Sequence, residues 1–184
     1  MGLVLLQAPA EPVATVEEAQ LQTRSENPQE TLRLASLVAA ATALAEAYCR
    51  RRFVTQRWRE TLDSFPARAI TLEHPPLTSV EAVAYVDPDG VLQTLPAADY
   101  VVRTGEEPGE VVPAYGENWP SARSGPDAVR VDFTCGYGGG AAVPDAVRQA
   151  VLVTVGALYD DPGSDLPAAA RALLGPFRVQ RFAG

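Results

Sequence analysis

Between Glu30 and Arg52 the chain runs ETLRLASLVAAATALAEAYCRRR, and from Leu34 to Tyr48 its only charge is Glu46. Ala and Leu are strong helix formers, so propensity and composition together predict one long helix. Leu34, Val38, Ala41, Ala45 and Tyr48 recur at three- and four-residue steps, with Leu37 and Leu44 beside them, which gives a broad apolar face. The opposite side is mostly Ala rather than Lys or Glu, so this helix is expected to be covered on several sides. A bilayer span is not expected. The run is shorter than about 18 residues and ends in Arg50, Arg51 and Arg52.

A chain of 184 residues suits one domain able to bury a real core. Sixteen Pro and fourteen Gly predict many turns. The net charge of −8 argues against gripping nucleic acid through phosphates, which needs a basic face. Cys49 and Cys135 are too few for a disulfide framework and read as buried thiols in a cytoplasmic setting. Leu3 to Leu6 lacks a preceding basic region, so no signal peptide is expected, and Leu6 stands where a myristoylation start wants Ser or Thr.

Along the chain, Met1 to Val13 is interrupted by prolines and reads as extended or mobile. Thr15 with Glu18 is a capping-box start for a short helix through about Thr23, showing Val16 and Ala19 to the core. Pro28 suits the first turn of the long helix. After Arg52 the period changes, and Phe53 to Leu62 reads as a strand. Short strands follow at Ala69 to Leu72, Val80 to Val86, Val91 to Leu95, Tyr100 to Arg103, Glu110 to Pro113 and Ala128 to Thr134. Val80, Ala82, Ala84 and Val86 are expected on one face, and Asp87-Pro88-Asp89-Gly90 is a hairpin turn. Pro144 starts a helix over Asp145 to Asp160 with Val147, Ala150, Val151, Val155 and Leu158 inward. Pro167 to Leu174 forms a last helix, stopped by Gly175-Pro176. The fold class expected is α+β: a helical bundle (helices within about 15–52 and 144–174) with an inserted region of short antiparallel strands (about 53–135). Residues 1–176 form a single domain, and 177–184 a tail.

No catalytic constellation emerges. The run Gly136-Tyr137-Gly138-Gly139-Gly140 imitates a phosphate loop but lacks its Lys and Ser/Thr, and no βαβ unit can follow it. A strand-to-helix turn is expected there. His74, the one histidine, precedes two prolines and reads as a turn residue; with Cys49 and Cys135 it falls short of a zinc set. Asp87-x-Asp89-Gly90 starts like a calcium loop without its later ligands. No metal, cofactor or enzymatic activity is therefore expected. The alternative is a small ligand-binding or hydrolytic domain using His74 and the Gly136–Gly140 loop. Arg50, Arg51 and Arg52 either complement the helix dipole or reach a neighbouring subunit. In the tail, Phe177, Val179 and Phe182 alternate with Arg178, Gln180 and Arg181. That pattern fits an extended segment docking on a partner.

The order of these features resembles a known family. A TVEEAQ helix start leads to AEAYCRRRFVTQRWRETLDSFP, then ITLEHPPLTSVEAVAYVDPDG, Tyr100-x-Val102, Trp119-Pro120, VDFTCGYG and VPDAVRQAVLVTVGALYDDP. From about Val13 to Pro176 this is similar to the head–tail connector (adaptor) proteins of long-tailed double-stranded DNA phages, prophages and gene transfer agents. Relatives often carry Lys and Arg in the first helix, where only Arg24 answers here. The resemblance implies a ring, commonly of twelve subunits, at the head–tail junction of a virion or phage-like particle assembled in the bacterial cytoplasm; the acidic surface, which self-repels, makes a monomer the expected state in isolation. It implies that the tail (Phe177, Arg178, Val179, Gln180, Arg181, Phe182) docks on the portal protein, and that the other ring face meets a tail-side stopper or terminator. DNA would pass through without specific binding, an acidic lining repelling phosphates.

Overall fold

Thr15 starts the first helix, α1 (Val16–Thr23), with both halves of a capping box: its hydroxyl accepts the Glu18 N–H at 3.2 Å, and the Glu18 carboxylate accepts the Thr15 N–H at 2.7 Å. This is a computed structural model, and it describes residues 2–179. The fold is α+β, and the chain divides into two compact units, one of Pro9–Val54 with Tyr137–Gly184 and one of Met1–Ala8 with Thr55–Gly136.

The first unit is helical. Arg24 ends α1 in the left-handed region, a 3-10 turn spans Pro28–Glu30, and α2 covers Thr31–Cys49. Helix α2 buries one stripe, Leu34, Val38, Ala41, Ala45 and Cys49, each at most 2% exposed. It packs against α1, against α3 (Asp145–Asp160) and against α4 (Ala168–Leu174). All five inward residues expected of α3 are buried, together with Thr154, whose hydroxyl donates to the Ala150 carbonyl at 2.8 Å. Cover on several sides of α2 is not found within the unit: Ala35, Ser36, Ala39, Ala40, Ala43 and Ala47 are exposed, and Leu32 is 84% exposed. Its length and composition would suit a membrane span, yet its apolar stripe is spent on the other helices.

Glu30 ties the start of α2 to the end of α3. It accepts from the Ser25 hydroxyl, from the Tyr159 hydroxyl at 2.8 Å and from Arg33 at 3.2 Å. Arg33 also donates to the Tyr159 carbonyl at 3.1 Å and lies 4.4 Å over its ring. The Ser25 and Tyr159 hydroxyls, and then the Arg33 charge, hold the Glu30 carboxyl below the usual carboxylate range.

In the second unit β1 (Gly2–Gln7), β2 (Gln56–Leu62), β8 (Val129–Cys135), β4 (Leu77–Val86) and β5 (Leu92–Thr94) form an antiparallel sheet in that spatial order. A smaller sheet runs β3 (Ile70–Thr71), β7 (Glu110–Pro113), β6 (Tyr100–Arg103). Val83, Val129, Val131 and Phe133 are fully buried between them with Ile70 and Val111. Phe65 stacks on Trp119 at 4.9 Å and leans on Tyr85 at 5.6 Å. On the outward face Arg59 lies directly opposite Asp132 and grips it with two bonds of 2.6 and 2.8 Å. This partly exposed pair contributes at most about 1 kcal/mol.

Residues 2–7, read as extended or mobile, are extended and pair with β2 as a strand; with apolar residues on both sides they show no alternation to read. Two expectations are corrected. Phe53 does not start β2 but is fully buried in the helical core, and β2 begins at Gln56. In β4 a register shift between Val80 and Ala82 breaks the predicted face. Val80, Val83 and Tyr85 pack inward, because a bulge inserts one residue and reverses the alternation after it.

Phe133→Ala should cost about 3–5 kcal/mol, read as a lower urea midpoint. Glu30→Gln tests the helix-start network. A carboxyl whose folded pKa is depressed stabilises the fold above its unfolded value and loses this as pH falls through the folded one. The variant should therefore melt below wild type near pH 7, with the gap narrowing as the solution is acidified below the ordinary carboxylate range. An undiminished gap in acid would reject that role.

Candidate functional site

Helix α2 ends around one inward carboxylate. Glu46 accepts the Phe53 N–H at 2.9 Å with one oxygen and the Arg52 guanidinium at 2.9 Å with the other. Burial raises its pKa, against the opposing pull of the Phe53 N–H and of Arg52. Arg50 adopts the left-handed conformation and donates its N–H to the Glu46 carbonyl, closing the helix. The buried Arg51 turns its Nε to the Phe177 carbonyl. The three arginines therefore part: Arg51 and Arg52 hold their own unit together, while Arg50 is exposed.

The root of the tail is held there too. After the 3-10 turn Gly175–Phe177, Phe177 packs on the helical core. Val179 is 8% exposed, with its N–H on the Cys49 carbonyl at 3.0 Å. The Arg178 guanidinium lies 5.3 Å from the Tyr48 ring centre. A free end from Phe177 onward is thus corrected for Phe177, Arg178 and Val179: the apolar side chains and the main-chain bond find their partners in the same unit. Gln180, Arg181 and Phe182 lie outside the described residues.

The residues of the enzymatic alternative are engaged structurally. Cys49 is buried with its Sγ 3.8 Å from the Leu174 carbonyl, and burial pushes its pKa up to about 11, the reverse of what a nucleophile needs. Cys135 is buried with its Sγ 3.8 Å from the Gln56 carbonyl. His74 occupies a positive-φ turn (φ 69°) and meets the Trp58 ring edge-on at 4.6 Å. Sequence reasoning missed Glu60, which is fully buried on the core side of β2 and accepts the Glu73 N–H at 3.1 Å, fixing the backbone just before His74. The place of Glu60 in the alternation, between Trp58 and Leu62 on one face of the strand, was the available signal.

In the glycine run, Gly136 exchanges bonds with the Pro76 carbonyl at 3.0 Å and the Thr78 hydroxyl at 3.1 Å. A Cβ on Gly139 would strike the Glu11 carboxylate, and one on Gly140 would lie 2.5 Å from the Pro12 carbonyl oxygen. These glycines admit close approach of a neighbouring chain segment. A carboxylate at that spot would repel a phosphate. Among the described residues no group of three or more His, Cys, Asp or Glu is placed to hold a metal.

What the surface does offer is apolar. Leu3, Val4, Leu5 and Leu6 are 36–52% exposed on β1, whose far edge is unpaired in the sheet. Val91 and Leu92 are more than half exposed at β5, the opposite edge strand. Leu21 and Leu32 stand out from α1 and α2.

No family model matches the chain, and no curated protein sequence matches it. Solved structures do resemble it over its whole length. A chain in the neck of an empty gene transfer agent (GTA) particle, computed with C6 symmetry, superposes with a TM-score of 0.85 at 24% identity. A chain of the virion of a native GTA particle gives 0.82 at 25%, and one in the neck of a native particle, computed with C12 symmetry, 0.77 at 24%. In each case the match covers 100% of this chain and 99% of the other.

The buried thiols have a direct consequence. In the native protein at about pH 8, Cys49 should react with a disulfide reagent at least about a thousandfold more slowly than a free thiol, and both cysteines should react once urea unfolds the chain. Fast native labelling of Cys49 would contradict its burial.

Proposed function

We propose that this chain is a structural ring subunit in the neck of a phage-like particle of the gene transfer agent kind, a head–tail connector (adaptor) at the head–tail junction. The observation that carries this is the full-length likeness to neck and virion subunits, with coverage near complete on both sides. The C6 and C12 symmetry of those necks supports ring self-assembly, as do the exposed apolar residues on both edges of the five-stranded sheet. The protein works without catalysis.

In this role the ring sits beneath the portal, and its other face receives the tail-side stopper or terminator. Twelve copies continue the DNA channel, and the chain's net charge of −8 keeps the duplex from sticking. Arg50, exposed at the end of α2, is the arginine of the three available for a subunit contact. The portal-binding part of the tail is Gln180, Arg181 and Phe182, launched from a root that Phe177, Arg178 and Val179 hold against α2.

Two truncations test the tail. Removing the residues after Val179 should leave the melting temperature unchanged and abolish portal binding and head–tail joining. Removing everything from Phe177 should also lower the melting temperature, because it strips the partners of Arg51 and of the Cys49 carbonyl. Full-strength portal binding by the shorter truncation would refute the docking role. Absence of the chain from purified particles, read by mass spectrometry, would refute the connector assignment itself.

A further inference from the structure

The two edges of the five-stranded sheet carry a feature that edge strands normally avoid. Exposed edges are usually blunted by Lys, Pro or inward-pointing charge, since their unpaired N–H and C=O groups invite another strand. Gly2–Gln7 contains no charge and no proline, and neither does the run Val91–Thr94 that includes β5. Leu3, Val4, Leu5, Leu6, Val91 and Leu92 are all at least 36% exposed. By contrast, β6, an edge of the smaller sheet, ends in Arg103, which is paired with Glu106 and Glu110.

We infer that β1 of one copy pairs with β5 of the next copy, so that the sheets join edge to edge around the ring. The inference rests on the ring assignment proposed above. The occupant is a second copy for three reasons. Identical chains each carrying a net −8 repel one another, and contact between them is least costly where neither side is charged. A closed ring needs two different surfaces on each subunit that meet head to tail, and one sheet with two unlike, uncharged edges provides them. The directions also agree with rotation. Each neighbouring pair in the sheet is antiparallel, so in a five-stranded order the first and last strands run the same way, and a rotated copy presents β5 parallel to β1.

The register puts matching side chains on one face. Gly2 lies opposite Thr61, Thr61 opposite Arg130, Arg130 opposite Ala84, and Ala84 opposite Thr94. Val4 and Leu92 lie two residues to opposite sides of that row and both face outward, so pairing them staggers the next copy's sheet by four residues, about 13 Å, along the strands. Within one copy the two edge strands are four strand spacings apart, about 19 Å, too far for a short cross-link. A bond between them reports a neighbour.

The test places a photo-reactive benzophenone side chain at Val4 in the full chain, assembles particles, irradiates them and maps the adducts by mass spectrometry. The inference expects a ladder of covalently joined copies whose adducts fall in Val91–Leu95. Adducts with another particle protein, adducts elsewhere on this chain, or none in particles that contain it would overturn the inference and leave the connector assignment standing. Particles without the chain would overturn both. As a second measurement, Val4→Lys (opposite Arg59, so without an acidic partner across the strand pair) and Leu92→Glu should each fold and lower incorporation at least about tenfold, since uncompensated charge would be buried at the joint. Normal incorporation of both variants would likewise overturn it.

Discussion

The helical unit depends on how closely α2 and α3 approach. Ala41, Ala45 and Ala150 are fully buried along the helices that pack there, with Ala19 of α1 and Ala170 of α4 buried beside them. A side chain of one methyl group lets two backbones come near and leaves little volume to fill, and a larger one would force the helices apart. Everything at the far end of α2 follows from that spacing. Cys49 reaches the Leu174 carbonyl, and its own carbonyl receives Val179. The exposed side of α2 is equally small. Alanine suits that side because helix propensity, not contact, decides there.

Local chemistry was legible wherever a few neighbouring residues settle the structure. Thr15 and Glu18 announce their cap, Asp145–Asp160 is bounded by Pro144 and Asp161-Pro162, and the strands Tyr100–Arg103 and Glu110–Pro113 fall where β-branched runs predicted them. What escaped was tertiary. Leu3–Leu6 reads as a featureless apolar run because a strand with hydrophobics on both sides has no period. The reversal in β4 comes from a bulge that no residue between Val80 and Ala82 advertises. Phe177 and Val179 look like a spare end because their partners, Arg51 and Cys49, are more than a hundred residues earlier.

The candidate site divides along the same line. That His74 is a turn residue and that the glycine run is a close-packing bend follow from residue types, and the geometry supplies the detail of Glu60 and Glu11. The three arginines could not be told apart in sequence. Their separation into one exposed and two engaged side chains depends on where the Glu46 carboxylate and the Phe177 carbonyl lie, the one holding Arg52 and the other Arg51. The exposed apolar edges were hidden because nothing in Leu3–Leu6 or Val91–Leu92 marks a border, and only the sheet order reveals them as one.

The order of segments along the chain also dictates when each unit can close. The central pairing joins Arg59 to Asp132, 73 residues apart, and the helix-start network joins Glu30 to Tyr159, 129 residues apart. Long-range pairings of this kind slow folding because distant segments must meet before they are rewarded. During synthesis, α1 and α2 emerge with their apolar stripe bare, and β1 emerges with its leucines unpaired. Neither unit can finish until the chain has passed β8 and α3. The segment that carries both thus acts as a timer, completing the sheet and then the bundle within a few dozen residues, so that neither unit presents its finished surface before that segment has emerged.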